Sequence, residues 1–355
     1  MITLILVIIV ISILILGHEW GHFFAAQKLG VTVEEFGFGF PPRLFSRVRH
    51  DVRYSLNALP FGGFVKIFGE HGEGEGNKKS FVSRPAWQRF IILAAGVGMN
   101  LILAWIFFTI ALGIGVPRVV DNPGVGVPVS ILEVAPASPA EHAGLKMGDQ
   151  IMEMRAQDVS LRIESEKDIL DFVNAYRGEE ITVTVSRSGV VTALHATPRA
   201  QVPAGEGPLG VILGRIATYR AAWYLAPFEG LWSLWTSIVG ILLGLWSVLS
   251  DLVVRHGVGV AVSGPIGIFF FAASSRALGA AYFLQFVAVL SVNLAILNIL
   301  PIPALDGGRI FFLLIEKIKG KKVNPEIEDR AHLIGFVILV ALMILVTWHD
   351  IARLL

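Results

Sequence analysis

The amino-acid sequence predicts a polytopic α-helical membrane protein that carries one small soluble domain. Of the 355 residues, 54% are hydrophobic and only 16% are charged, and the mean hydropathy is +0.68. A soluble chain carries about 25% charged residues. Several apolar runs reach the roughly 20 residues that a helix needs to cross a hydrocarbon core.

Four segments are predicted to span the membrane: about 2–25, 90–115, 281–300 and 332–349. The first lacks a basic start and a cleavage site, so we expect it to be retained rather than removed as a signal peptide. A fifth apolar stretch, 227–252, is rich in Trp, which favours the membrane interface. It either spans or lies on the surface as an amphipathic helix. We favour the surface, because an even number of spans suits the basic residues.

Basic residues concentrate in the connections that follow the first span and the 281–300 span. The positive-inside rule places both connections on the cytoplasmic side. The segment from about 116 to 222 is then extracytoplasmic, and both termini face the same way. The formal net charge of +1 gives no global field for nucleic acid, which is therefore not an expected partner.

The first cytoplasmic connection contains a predicted β-loop, residues 33–68. Phenylalanine alternates with glycine over 36–40, and the runs 54–56 and 62–66 are expected to pair with it as a hairpin. Its apolar surface predicts that the loop is re-entrant, where its backbone must be paired or lie against protein. Residues 69–79, which are rich in Gly and Glu, are predicted to form a flexible polar linker.

The extracytoplasmic segment is predicted to fold as a compact α+β domain. Strands are expected at 129–134 and 180–186, and helices at 138–142 and 165–176. The pieces SPAEHAGLKMGDQI and ITVTVSRSG resemble a PDZ domain of the bacterial type. Such a domain commonly binds extended peptides by strand addition. Alternatively, it is a spacer that only limits access to the membrane core.

A candidate zinc site begins in the first span. The chain has no cysteine, so a metal must be bound by His, Asp or Glu. His18 and His22 are four residues apart and share one helix face, and Glu19 lies beside them. This His-Glu-x-x-His pattern binds zinc through both imidazoles, with the Glu as general base. Ionisable groups in a membrane helix usually have a functional reason, although helix-end residues can also snorkel to the headgroups.

The third ligand is predicted to be Asp306. A catalytic zinc ion has three protein ligands and one open position. Pro301 and Pro303 break the preceding helix, and the two glycines after Asp306 allow a tight turn. His18 lies about 24 Å along the first helix, near its cytoplasmic end, so both halves of the site have similar depth. The alternative is that Asp306 only caps the span.

Together these motifs resemble the site-2 protease family of intramembrane zinc metalloproteases. The resemblance depends on His18-Glu19-Trp20-Gly21-His22 and on the later pattern Asn-x-x-Pro-x-Pro-x-Leu-Asp-Gly at 298–307. The single PDZ-like insert makes the chain similar to the regulator-of-sigma-E protease branch. Other family-like pieces lie at 37–39, 60–65, 95–100 and 263–267. Gly96-Val97 departs from the family's usual Gly-Pro.

The resemblance implies a function and a site. It implies a Zn²⁺ cofactor bound by His18, His22 and Asp306, with Glu19 as the base. The expected substrates are transmembrane segments of single-pass proteins, such as anti-sigma factors or remnant signal peptides, cut in regulated intramembrane proteolysis. Peptide segments at the PDZ-like domain and the lipid bilayer are further partners. The implied substrate-binding residues are Asn298, Asn293, Gly37, Gly39 and Gly63.

The predicted organisation follows from these assignments. Residues 1–115 and 261–355 form the two halves of a core in the inner (plasma) membrane, with the active site toward the cytoplasm. Residues 116–222 form the PDZ-like domain, and 223–260 form an amphipathic or interface helix. The remaining histidines, His332 among them, lack ligand spacing and are expected on the surface or in loops. The rival functions are a membrane scaffold with an inactive metal site and a zinc transporter.

Overall fold

The structure, a computed structural model, describes residues 2–119, 127–187, 189–202, 207–254 and 264–354. The chain forms two compact units. One comprises Met1–Ile114 and Ala221–Leu355, and the other comprises Gly115–Arg220. The end of the predicted interface segment, 255–260, and Ser263 of the 263–267 motif lie outside the described residues.

The described residues form nine helices and nine strands. The helices are α1 Ile2–Lys28, α2 Ala86–Ile114, α3 Pro139–His142, α4 Glu166–Ala175, α5 Ala226–Val254, α6 Pro265–Leu278, α7 Ala280–Ile299, α8 Asp306–Lys319 and α9 Pro325–Leu354. The strands are β1 Val33–Arg49, β2 Val52–Ile67, β3 Val116–Val119, β4 Val129–Val134, β5 Gln150–Ala156, β6 Val159–Arg162, β7 Ile181–Arg187, β8 Val190–Ala196 and β9 Val211–Tyr219.

Five of the described helices are long and apolar enough to cross a membrane: α1, α2, α5, α7 and α9. The chain is therefore a multi-pass membrane protein. Helix α5 covers the stretch that the sequence left ambiguous, and its apolar residues pack against a cluster from α2 and α7. The buried members of that cluster are Ala104, Phe108, Leu234, Ala288, Val292 and Ile296. By its length and composition, α5 is able to cross the membrane. The position on the membrane surface that the sequence favours is not tested by this and stays a prediction.

Small residues bring the first two helices together. A Cβ atom on Gly21 would lie 2.3 Å from the carbonyl oxygen of Ala95 and 3.0 Å from the Cα atom of Gly96. Only the bare glycine backbone permits this approach, which is a common device for packing membrane helices. Ser291 Oγ donates a hydrogen bond to the carbonyl oxygen of Asn100 at 2.7 Å, which ties α7 to α2.

Strands β1 and β2 confirm the predicted hairpin and fold it back on itself. Gly37 lies opposite both Phe64 and Ser55, and residues 43–49 pair with 52–57. The hairpin is therefore a small sheet of four segments, in the order 63–67, 33–38, 53–56 and 43–49. Within the described chain, the segment 63–67 has a pairing partner on one side only, so its outer edge is open.

Residues 69–79, which the sequence predicts to be a flexible polar linker, are attached to the rest of the membrane unit by ion pairs. Glu70 pairs with Arg309, His71 Nδ1 lies 3.2 Å from Asp329 Oδ1, and Lys322 Nζ lies 2.5 Å from Glu75 Oε1. These partners belong to α8, α9 and their connection. The sequence could not show this attachment, because the opposite charges are separated by more than two hundred residues.

The described part of the 263–267 motif, residues 264–267, has a structural role at the start of α6. Asp350, near the end of α9, is buried and accepts hydrogen bonds from the backbone N–H groups of Gly264 at 3.2 Å and Gly267 at 3.0 Å. These are orphan donors at a helix N-terminus, where a carboxylate is also favoured by the helix dipole. The contact joins α6 to α9.

The described residues of the second unit, Gly115–Arg220, form a seven-stranded sheet with two short helices. The strand order is β3-β9-β4-β5-β7-β8, and β6 pairs with β5. Its core contains the fully buried side chains of Ile131, Ile151, Met154, Ile169 and Val183. The predicted strands and the longer helix of this segment are confirmed. Ser165 and Asp168 form a capping box at the start of α4.

An ion pair lies beneath one end of this sheet. The Asp149 side chain is fully buried, and both of its oxygens accept hydrogen bonds from Arg187 at 2.7 Å. Burial opposes ionisation, but Arg187 and the backbone N–H of Lys146 together hold the pKa of Asp149 below its usual value. Asp149 therefore stays ionised and joins β7 to the turn before β5.

Candidate active site

Three side chains that the sequence selected converge inside the membrane unit. His18 and His22 are buried on one face of α1, and their Nε2 atoms are 3.1 Å apart. Asp306 is the first residue of α8, and its Oδ2 atom lies 2.9 Å from His18 Nε2 and 3.3 Å from His22 Nε2. All three potential ligand atoms lie within 4.8 Å of one another. One cation can therefore contact all three.

The connection between α7 and α8 turns Asp306 toward α1. Leu300 ends α7 in an extended conformation, and the chain folds back through the two prolines. A Cβ atom on Gly307 would lie 2.1 Å from the carbonyl oxygen of Leu300, and one on Gly308 would lie 2.5 Å from that of Ile302. The turn can therefore close this tightly only because both residues are glycine.

A buried ion pair fixes the helix that carries Asp306. Arg89 Nη2 on α2 donates a hydrogen bond to Glu316 Oε2 on α8 at 2.5 Å, and both side chains are largely buried. Glu316 Oε1 also accepts from the backbone N–H of Val323 at 3.1 Å. A buried charge pair of this kind is costly to break, because the remaining charge has no compensation. It secures α8 against the helix that packs on α1.

The outer nitrogen atoms of both imidazoles have partners suited to metal binding. His22 Nδ1 donates to the carbonyl oxygen of Ile92 at 2.8 Å, which leaves Nε2 unprotonated and directed at the shared position. His18 Nδ1 lies 3.4 Å from the amide of Asn100 and 3.5 Å from that of Asn298. The Oδ1 atom of Asn100 is buried and has no partner. With the Asn100 amide turned by 180°, this oxygen accepts from His18 Nδ1 and frees Nε2 as well.

The absence of a side chain at Gly96 leaves room for the two imidazoles in these positions. A Cβ atom at this position of α2 would lie 2.4 Å from His22 Nε2 and 2.7 Å from His18 Cε1. The space therefore exists only because residue 96 is glycine. Two imidazoles and one carboxylate are a donor set that zinc accepts in catalytic sites. The residues present thus fit a zinc ion with one open position.

Glu19 lies between the imidazole pair and the edge of the small sheet. It is partly buried, and its carboxylate faces the backbone N–H of Val65. A Cβ atom on Gly63 would lie 3.5 Å from Glu19 Cγ. A cavity of about 320 Å³ adjoins these groups and is also lined by His22 and Asp306. A peptide bond entering this cavity would meet the carboxylate and the cation position together.

The structure distributes the predicted substrate-binding residues differently. Gly63 lies at the open edge beside Glu19, whereas the backbone of Gly37 is already paired on both sides. Gly39 has a positive φ of 79° and marks the bend within β1. The amide of Asn298 lies near His18, while that of Asn293 donates to Val289 within its own helix at 3.1 Å. Gly63 and Asn298 are therefore the two that lie beside Glu19 and His18.

Two residues of this cavity are not among the site residues that the sequence predicts. Arg309 and His332 both line the cavity that contains Glu19 and Asp306. Arg309 is three residues after Asp306 on α8, so helix periodicity could have indicated a shared face. His332 was expected on the surface or in a loop. It lies instead on α9 and accepts a hydrogen bond from the backbone N–H of Ala304 at 2.8 Å. No spacing in the sequence signals that contact.

The fold and the site together define a membrane-embedded metallopeptidase. The chain belongs to peptidase family M50, whose sequence model matches residues 6–342. The regulator of sigma-W protease RasP of Bacillus subtilis is 29% identical, over 99% of both chains. The zinc metalloprotease RasP of Shouchella clausii is 30% identical over 99% of both chains, and that of Geobacillus kaustophilus is 28% identical over 98% of this chain and 97% of its own. The predicted family, the membrane zinc metalloprotease activity and the Zn²⁺ cofactor are confirmed.

Proposed function

We propose that this protease cuts transmembrane segments of membrane-anchored proteins, with His18, His22 and Asp306 as the zinc ligands and Glu19 as the general base. One observation carries the proposal above all others. The three ligand atoms lie within 4.8 Å of one another, next to a glutamate and an open strand edge. A scaffold or a transporter has no need for a base at that position.

Glu19 and Asn298 are the side chains proposed to act on the attacking water and on the substrate. Zinc, when bound, polarises the scissile carbonyl group and lowers the pKa of water toward neutrality. Glu19 accepts the proton of the attacking water and returns a proton to the departing amine. The amide of Asn298 is near enough to His18 to contact the substrate backbone or the developing oxyanion. The buried setting of the ligands strengthens each of these electrostatic interactions.

The open edge at 63–67 accounts for how a helical substrate becomes cleavable. The carbonyl oxygen of a helical peptide bond is already hydrogen-bonded within the helix. Unwinding frees backbone groups that lipid cannot satisfy. A substrate strand added beside Gly63 and Val65 would satisfy those groups and bring its backbone past Glu19. Strand addition is a common mode of peptide recognition.

The proposal also covers the class of substrate and the orientation of the protein in the membrane. We propose single-pass membrane proteins as substrates, such as anti-sigma factors or remnant signal peptides, in regulated intramembrane proteolysis. The name of the Bacillus subtilis relative, a regulator of sigma-W protease, supports this class. The basic loops support a site toward the cytoplasmic side of the inner membrane and an extracytoplasmic unit at Gly115–Arg220. That unit is proposed to be PDZ-like and to bind peptides or to limit access.

The test compares wild type with Glu19→Gln, and uses Glu34→Gln as a matched control on β1. Full-length proteins in detergent micelles are given a transmembrane substrate, and products are separated by electrophoresis. Zinc content is measured on the same samples. We expect Glu19→Gln to retain zinc and lose about 10²-fold or more in cleavage rate, whereas Glu34→Gln cleaves as wild type. Equal cleavage by all three would reject the proposed mechanism.

A further inference from the structure

Helix α9 contacts the connection between α7 and α8 at two positions on one helix face. His332 Nδ1 accepts the backbone N–H of Ala304 at 2.8 Å. Three residues later, a Cβ atom on Gly335 would lie 2.3 Å from the carbonyl oxygen of Pro303. Residues three apart are neighbours on a helix surface. The connection that leads into Asp306 is therefore packed directly against α9.

The contacted residue has an unfavourable backbone conformation. Ala304 has a φ of 83°, in the left-handed region that residues with a Cβ atom rarely adopt. Such a conformation persists only where the surroundings impose it. Ala304 lies two residues before Asp306, so its backbone angles decide where the Asp306 carboxylate points.

We propose that His332 is a positioning residue for the third zinc ligand, an inference that rests on the proposed function. The imidazole holds the strained backbone of Ala304 and thereby presents Asp306 Oδ2 to His18 and His22. His332 is not part of the predicted ligand pattern, and it is not close in sequence to any of the three proposed ligands. Its effect is exerted through the connection rather than through contact with zinc or substrate.

The chemistry of the contact specifies which feature of the side chain matters. Because the Ala304 N–H donates, His332 Nδ1 must be an unprotonated acceptor, and the ring is the Nε2–H tautomer. The ring packs beside Phe312, with centroids 5.9 Å apart, which restricts its orientation. Asparagine can place its Oδ1 atom close to the position of histidine Nδ1. Leucine fills a similar volume without an acceptor.

The experiment measures zinc affinity by competition with a chromophoric chelator on the full-length protein in detergent. The variants are His332→Leu, His332→Asn, Asp306→Ala and, as a histidine control on the same helix, His349→Leu, which is exposed. We expect His332→Leu to raise the zinc Kd by about 10- to 100-fold, as for other residues that orient metal ligands. His332→Asn should recover most of that loss, and His349→Leu should match wild type.

The outcomes separate this inference from the proposed function. If Asp306→Ala keeps wild-type zinc affinity, the proposed ligand set fails. If Asp306→Ala loses zinc while His332→Leu does not, the ligand set stands and the positioning role is overturned. An asparagine variant as weak as the leucine variant also overturns it. Should His332→Leu not fold, Gly335→Ala displaces the same connection and is expected to raise the zinc Kd in the same direction.

Discussion

Replacing Gly96 with alanine is the sharpest perturbation that the site offers. The added Cβ atom would lie 2.4 Å from His22 Nε2 and 2.7 Å from His18 Cε1, whereas ordinary carbon contacts begin near 3.4 Å. One of the three residues must therefore move by roughly 1 Å, on the scale at which such contacts become unfavourable. His22 cannot turn away without losing its hydrogen bond to Ile92. The displacement falls on the imidazole rings that carry the proposed ligand nitrogen atoms.

The expected loss of cleavage rate and zinc affinity follows from how small a displacement of its ligands a metal site tolerates. Zinc–ligand distances vary by only about 0.2 Å, and a catalytic group misplaced by 1 Å can cost about 10²-fold in rate. We expect Gly96→Ala to lose about 10²-fold in cleavage rate and to bind zinc more weakly. Alanine has a higher helix propensity than glycine, by about 1 kcal/mol, so loss of helix stability cannot explain the defect.

The matched control is Gly98→Ala on the same helix. A Cβ atom on Gly98 would meet nothing within 4 Å, so the substitution changes helix propensity alone. Cleavage of a transmembrane substrate and zinc affinity by chelator competition are measured for both variants. If Gly96→Ala cleaves and binds zinc like Gly98→Ala, the imidazoles of His18 and His22 do not depend on the space beside residue 96, and the reasoning is refuted.

Two further predictions concern the strand edge and the soluble unit. Val65→Pro removes an N–H at the open edge that also faces the Glu19 carboxylate, and an edge strand tolerates this loss. We expect unchanged zinc content and cleavage reduced about 10-fold; unchanged cleavage would exclude a role for this N–H both in strand pairing and in orienting Glu19. Arg187→Met leaves the Asp149 carboxylate buried without its partner, so thermal unfolding at pH 7 should show a loss of about 2 kcal/mol. Because the folded pKa of Asp149 is depressed, this stabilisation is present above its unfolded pKa of about 3.9 and is lost as pH falls through the folded value. The difference between variant and wild type should therefore shrink in acid, and a constant difference would contradict the assignment.

Local patterns in the sequence indicated the class of protein and the candidate site residues His18, Glu19, His22 and Asp306. Apolar runs of membrane length require no knowledge of neighbouring helices, and a spacing of four places His18 and His22 on one face of any α-helix. The alternation of Phe and Gly likewise indicated the hairpin of β1 and β2. These features were readable because each depends on the chain's own periodicity.

Only the tertiary structure showed which residues from distant parts of the chain contact the locally predicted ones. The space beside Gly96, the contact of His332 with Ala304 and the attachment of residues 69–79 to α8 and α9 all join segments far apart in the chain. No periodicity encodes them, because they depend on how helices pack after each has formed. The sequence indicated the proposed zinc ligands on their helices, and packing brought their nitrogen and oxygen atoms within reach of one ion.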